Sequence, residues 1–218
     1  MNKLLFLTGF FLATLCLRGQ EVYQVKNLPY SLKWINEPAF FQVKPDSIVV
    51  VANPKTDIFN APDGGSKSSG AHRLLFAADE NFVLNAKVNV DFRQNWDAGA
   101  LFVQFDENYW VKLAFEQDYR GRKRIVPVVT RGVSDDCNSV VLSGNTVFLQ
   151  IARTGDQFFL YYGTDGKNWD LVRAFSLKSE NPLLAGFLGQ SPIGDGCRSV
   201  FSEINYRAEK MKSFWNGE

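Results

Sequence analysis

Three side chains in one short stretch could do chemistry together: Trp110, Lys112 and Glu116. They lie in Tyr109-Trp-Val-Lys-Leu-Ala-Phe-Glu116, which alternates with the two-residue period of a β-strand. Tyr109, Val111, Leu113 and Phe115 then face a core, while Trp110, Lys112, Ala114 and Glu116 face the other way. An indole, an ammonium and a carboxylate in a row suit the floor of a binding groove. Sugars are held by such a mixture, the ring stacking on an apolar C–H face while charged and amide groups bond the hydroxyls. Thr130 and Arg131 belong to the next alternating run and join this group if the two runs pair through a turn at Asp118–Lys123. The competing reading is a Lys112–Glu116 ion pair covering an indole on an exposed sheet, a feature of little energetic weight.

Other candidates flank this stretch. Trp96 and Asp97 precede an Ala-Gly-Ala run, where Gly99 either lets a backbone or ligand approach closely or, as the preferred structural reading, marks a strand start or bulge. Ser134, Asp135 and Asp136 either rim the groove, with calcium as a conceivable oxygen-ligated ion, or bond their own turn. The turn is the preferred reading, and no cofactor is expected. His72, the one histidine, is expected at the surface or on the groove rim rather than in a catalytic triad. If the chain is an enzyme, Glu116 with Asp135 or Asp57 would supply the two carboxylates that glycosidases need.

The elements that must position these residues are strands. No helix-period segment of useful length follows residue 19. Alternating runs are expected at Phe40–Val43, Ser47–Ala52, Phe82–Phe92, Ala100–Phe105, Tyr109–Glu116, Arg124–Arg131, Thr146–Arg153, Phe158–Gly163, Trp169–Ala174, Leu184–Leu188 and Ser199–Arg207. Asp106-Glu-Asn108, Thr154-Gly-Asp156 and Thr164-Asp-Gly-Lys167 have the composition of hairpin turns. Asp63–Gly70 reads as a flexible loop, and residues 208–218 as a polar tail. Many antiparallel strands in succession predict an all-β sandwich or barrel. With 218 residues, 45% of them apolar, one β domain can build a sizeable core. A balanced charge of +1 without a basic stripe argues against nucleic acid as a partner.

Residues 1–19 read as a signal peptide: Lys3, an apolar run from Leu4 to Leu15, and Gly19 before the cleavage point. The apolar run is too short to span a bilayer, so no membrane span is expected. A periplasmic or extracellular location follows. An alternative use of the same segment makes Cys16 an acylated residue. Removing residues 1–19 leaves Cys137 and Cys197, and a disulfide between them is the preferred reading for that compartment. Two cysteines and one distant histidine do not make a zinc site.

The chain also resembles a known group. Asp97-Ala-Gly-Ala-Leu101, Tyr109-Trp-Val-Lys112, Glu116, Val128-Val-Thr-Arg-Gly132, Ser134-Asp-Asp136, Tyr161–Trp169, Gly186–Pro192, Val200-Phe-Ser202 and Thr56-Asp-Ile-Phe59 carry the likeness. Together they resemble an uncharacterised bacterial family of the concanavalin A-like lectin/glucanase superfamily. That family is related to β-xylosidase C-terminal domains and is sometimes labelled "regulation of enolase". Relatives often carry Trp after Ser-Asp, where this chain has Asp136. The resemblance implies a concanavalin A-like jelly-roll sandwich of two antiparallel sheets with a concave face, and no established activity. Active laminarinase-like members of the superfamily carry Glu-x-Asp-x-x-Glu or Glu-x-Asp-x-Glu, whereas Glu116-Gln-Asp118 here has no second Glu. The expectation is therefore a secreted, non-catalytic domain spanning residues 20–207 that binds an oligo- or polysaccharide in an aromatic-polar groove. A hydrolase or lyase, or a protein-interaction module, is the alternative.

Overall fold

A computed structural model describes residues 21–218. The expected signal segment, residues 1–19, and Cys16 within it lie outside the described residues. The fold is an all-β, jelly-roll-like sandwich of two large antiparallel sheets, with strands numbered in chain order. The first sheet holds β1 (Tyr23–Val25), β2 (Leu28–Ile35), β7 (His72–Ala77), β17 (Leu184–Gln190), β9 (Ala98–Gln104), β10 (Tyr109–Gln117), β11 (Lys123–Arg131) and β12 (Val133–Asp136) in that spatial order; β13 (Val141–Leu142) also pairs with β11. The second runs β16 (Asp170–Ser176), β15 (Gln157–Gly163), β14 (Thr146–Thr154), β8 (Asn81–Asp91), β18 (Cys197–Arg207), β4 (Ser47–Ala52) and β3 (Phe40–Lys44). A small hairpin, β5 (Ile58–Asn60) with β6 (Lys67–Ser69), stands apart from both.

Side-chain alternation divides the molecule into layers. Val111, Leu113 and Phe115 of β10 join Leu101, Val103, Phe187, Leu149, Leu160 and Phe201 in the core between the sheets. Each such side chain, fully withdrawn from water, contributes about 1.5–3 kcal/mol before entropy is subtracted. Between β9 and β18 a methyl group does not fit: a Cβ on Gly99 would lie 2.8 Å from Ser199 Oγ. The structural role for Gly99 therefore holds.

The outer face of the first sheet carries a second apolar layer. Ala98, Ala100, Phe102, Trp110, Ala114, Val126, Val128 and Leu188 lie there, with Ile58 of the β5–β6 hairpin packed on them. The outer face of the second sheet is covered by the chain end. Tyr161 Oη donates to the Phe214 carbonyl (2.6 Å), Gln150 Nε2 to the Gly217 carbonyl (2.8 Å), and Phe214 stacks on Phe159. Residues 208–218 are thus docked, which their polar composition did not suggest.

All eleven expected strands are present, and the hairpin turns use the expected residues. Asp106 Oδ1 accepts from the Asn108 and Tyr109 amides, and Asp165 Oδ1 from the Lys167 and Asn168 amides. Strands β1, β2, β5, β6, β7, β12 and β13 were not expected. Part of the presumed Asp63–Gly70 loop is β6, which completes the hairpin over the outer face.

The disulfide is corrected. Cys137 and Cys197 are both free thiols, one exposed and one buried. Cys137 follows β12 at the edge of the first sheet, whereas Cys197 opens β18 in the second, paired with Ala52 of β4. Burial pushes the Cys197 thiol up to about 12, with the charge of Asp97 acting in the same direction.

Candidate functional site

The site is assembled on the outer face of β10 and its neighbours. Cross-strand register sets Gln190, Ala98, Glu116 and Arg124 in one row, and Phe102, Lys112, Val128 and Asp136 in another. Between these rows Ala100 and Ala114 leave a recess, because methyl side chains fill little of the space above the sheet. The resulting cleft, about 390 Å³, has Lys112, Glu116 and Gln190 as its polar lining and Asp57 and Asp136 as acidic walls. Trp96, Phe59, Pro192 and Ile193 supply its apolar and aromatic surface.

Each wall is held by backbone. Thr56 and Ser191 exchange amide hydrogen bonds of 3.1 Å, joining the two loops that carry Asp57 and Pro192. Asp97 is fully buried: its Oδ2 accepts from the amides of Arg93 and Gln94, and its Oδ1 from Ser191 Oγ at 2.7 Å. This staple fixes the loop bearing Trp96. Trp96 itself has φ +66°, an unusual backbone conformation for a bulky residue. Its amide donates to the Gln117 carbonyl (2.6 Å) and its carbonyl accepts from Gln190 Nε2 (3.1 Å). Trp96 is 41% exposed. A strained backbone held by three neighbours, presenting an aromatic ring to solvent, is a costly way to build a plain loop.

Gln190 also organises the cation. Its Oε1 accepts from Lys112 Nζ (3.1 Å), and the Ile58 carbonyl accepts a second bond (3.3 Å). Lys112 is 3% exposed, so these bonds and the surrounding carboxyls offset its desolvation. Glu116 is 7% exposed, and among the described residues no side chain or amide bonds its carboxyl. Burial raises its pKa to about 8; Lys112 opposes this, while Asp136, Asp57 and Asp118 reinforce it. Burial within the walls also raises Asp136, with Lys112 opposing and Asp57 adding. Near neutral pH the cleft therefore offers a protonated carboxyl, an ammonium and acidic acceptors beside an aromatic plane.

Asp118, behind Glu116, behaves oppositely. Desolvation would raise it, but the Arg122 and Arg120 amides and the Arg122 and Arg124 side chains together hold it well below the usual carboxylate range. It anchors the β10–β11 turn.

Several expectations about the site are corrected. Trp110 does lie on the Lys112 face, but it is 1% exposed, packed 5.7 Å from the Phe102 ring, and cannot act as a stacking platform. The alternative Lys112–Glu116 ion pair is not formed, since Lys112 turns to Gln190. Thr130 is buried and bonded to Ser134 (3.0 Å). Arg131 is on the opposite face, as adjacent strand residues must be: its Nη2 donates to the Ser176 carbonyl, and its guanidinium lies over Phe175. Asp135 faces the same way and pairs with Arg173 at 2.6 Å, so it cannot partner Glu116. Its neighbour Asp136 faces the cleft instead. Tyr109, expected in the core, is exposed at the end of β10.

His72 is neither on the rim nor exposed. Its Nε2 accepts from the Asn53 amide (3.0 Å), and its Nδ1 donates to the Asn36 carbonyl. Burial lowers its pKa, opposed by the Asn36 bond, which suits a neutral structural tie. No cluster of three His, Cys, Asp or Glu that could hold a metal ion occurs among the described residues.

Phe59, Gln190, Pro192 and Ile193 were not singled out from sequence. Phe59, Gln190 and Pro192 fall in segments that carried the family likeness, which was their one available signal.

A family profile described as a protein of unknown function (DUF1349) matches residues 34–209. The chain belongs to that family. Comparison of this DUF1349 chain with curated proteins finds no match. Among solved structures it is similar to a functionally unknown protein from Saccharomyces cerevisiae, at 22% identity and TM-score 0.77, covering 83% of this chain and 97% of that one. It is also similar to a Bacteroides ovatus xyloglucan-locus GH43 protein (16% identity, TM-score 0.60) and to a xylan β-1,4-xylosidase from Bacillus halodurans (12%, 0.60). Those two matches cover 81% and 80% of this chain but 36% and 38% of the larger proteins. At these identities the likeness concerns the fold.

Proposed function

We propose that this DUF1349 domain binds carbohydrate in the Trp96 cleft, acting as a secreted module without catalysis of its own. One observation carries the reading: an exposed tryptophan, fixed in a strained backbone, stands over buried polar groups that retain hydrogen-bonding capacity. Stacking of Trp96 on a sugar's C–H face leaves Glu116, Asp136 and Lys112 to bond hydroxyls, the division of labour such sites use. The glycoside hydrolases among its fold neighbours support a plant-type polysaccharide as the first class to try. The signal-like residues 1–19 support action outside the cytoplasm. A glycan panel read by calorimetry tests the proposal. Binding of at least one oligosaccharide family is expected, and silence across neutral and acidic glycans contradicts it.

A second reading has its own observation. Glu116, its carboxyl raised to about 8 by burial, lines the cleft together with Asp57 and Asp136, the residue types that glycoside hydrolysis uses as acid and base. Product release that disappears in Glu116→Gln, with binding retained, would favour it over binding alone.

A further inference from the structure

The β5–β6 hairpin separates the Trp96 cleft from a second recess of about 400 Å³: Asp57 and Phe59 line the cleft, and their neighbour Ile58 lines the recess. Its most unusual member is Arg73 of β7. Alternation places Leu74 and Phe76 in the core and Arg73 with Leu75 on the outer face, beneath the hairpin. The side chain is 5% exposed. Of the five N–H donors a guanidinium offers, one bonds Gln104 Oε1 (2.8 Å) and one the Ser69 carbonyl (3.1 Å). Nε finds no acceptor.

No carboxylate among the described residues forms an ion pair with Arg73. Glu107, which acts on it electrostatically, is exposed at the rim. A buried cation without a counter-ion is costly to a fold, and nothing in the β7 pattern requires one. Lys67 adds a second positive charge to the same wall, held by Asn108 Oδ1 at 2.9 Å. Asn36 and Asn60 also line the recess. Their Nδ2 groups are committed to backbone carbonyls, so each presents a free Oδ1 acceptor.

We propose that this recess is a carboxylate subsite, taking the acid group of a hexuronate residue on the glycan whose neutral part lies in the Trp96 cleft. The Arg73 fork matches a planar carboxylate. The two amide oxygens ask for a ligand that donates as well as accepts, which the ring hydroxyls of a hexuronate provide and a sulfate dianion does not. The inference rests on the carbohydrate reading for the rest of the ligand, but the acid site can be tested separately.

The experiment is calorimetry on the full chain with a neutral xylo-oligosaccharide, the same oligosaccharide bearing one glucuronate, and free glucuronate. The acidic branch is expected to tighten binding at least tenfold. Arg73→Gln should remove that gain, and Lys67→Ala, at an exposed position, should reduce it, both leaving neutral affinity unchanged. Equal affinity of the wild type for both oligosaccharides would overturn the subsite while leaving the cleft reading intact. Glucuronate binding that is lost in Lys67→Ala, without any neutral binding, would uphold the subsite and remove the cleft reading. Absence of binding to all three probes would overturn the subsite.

Discussion

Lys112 and Glu116 stand four residues apart on one face of β10, with the Ala114 methyl between them, and they do not pair. Lys112 Nζ is drawn to Gln190 and to the Ile58 carbonyl, leaving the Glu116 carboxyl buried without a bond. The missing ion pair is what keeps both groups available to a ligand.

The first consequence is a pH dependence. Glu116 titrates near 8 in the folded chain, above its ordinary 4.5, so the native state holds a proton that the unfolded chain releases earlier. Its contribution to stability is present below about pH 4.5 and lost as pH rises through about 8. Thermal melts of the wild type should fall across that window more steeply than those of Glu116→Gln, which has no proton to lose. Parallel curves would show that the carboxyl is not raised.

Trp110 on the outer face of the first sheet and Trp96 in the loop beside it should differ sharply in their effect on stability. Trp110→Ala leaves a cavity beneath the β5–β6 hairpin and should cost about 3–5 kcal/mol, lowering the melting temperature by roughly 10 °C in a domain of this size. Trp96→Ala removes an exposed ring and should cost less than about 1 kcal/mol. Urea unfolding of both variants gives the comparison.

Intact mass of a chain lacking residues 1–19 should show Cys137 and Cys197 as free thiols. In native buffer a maleimide should label Cys137 within minutes. Cys197, buried and with its thiol raised to about 12, should label when urea is added. A mass two hydrogens lower would show a disulfide.

The docked chain end makes a further prediction. Phe214→Ala loses the stack on Phe159 and should cost about 0.5–1.5 kcal/mol beyond the area uncovered. Faster amide exchange in β15 would accompany it.

Much of this was legible in the residues. The β10 pattern correctly divided core-facing Val111, Leu113 and Phe115 from outward-facing Trp110, Lys112 and Glu116, because strand periodicity is local. What lies on top of a sheet is not local. Ile58 arrives from some fifty residues upstream in the chain and joins the apolar layer in which Trp110 is buried, so a ring that reads as a platform becomes part of a second core. Parity failed at Arg131 and Asp135 because each was grouped with a strand neighbour, Thr130 and Asp136, that must face the other way. The cleft walls at Phe59 and Pro192–Ile193 are loop or short-strand residues with no periodic signature. Their placement depends on the Thr56–Ser191 bridge, a contact between distant segments.

The most direct measurement compares two exposed tryptophans against one ligand. With the tightest-binding oligosaccharide from the panel, calorimetry on Trp96→Ala and on Trp215→Ala isolates stacking at the cleft from the ring on the chain end. Loss of about 1–3 kcal/mol of binding, roughly fivefold to more than a hundredfold in affinity, is expected for Trp96→Ala with the melting curve little changed, and no loss for Trp215→Ala. Wild-type affinity in Trp96→Ala would contradict the assignment of this cleft as the carbohydrate site.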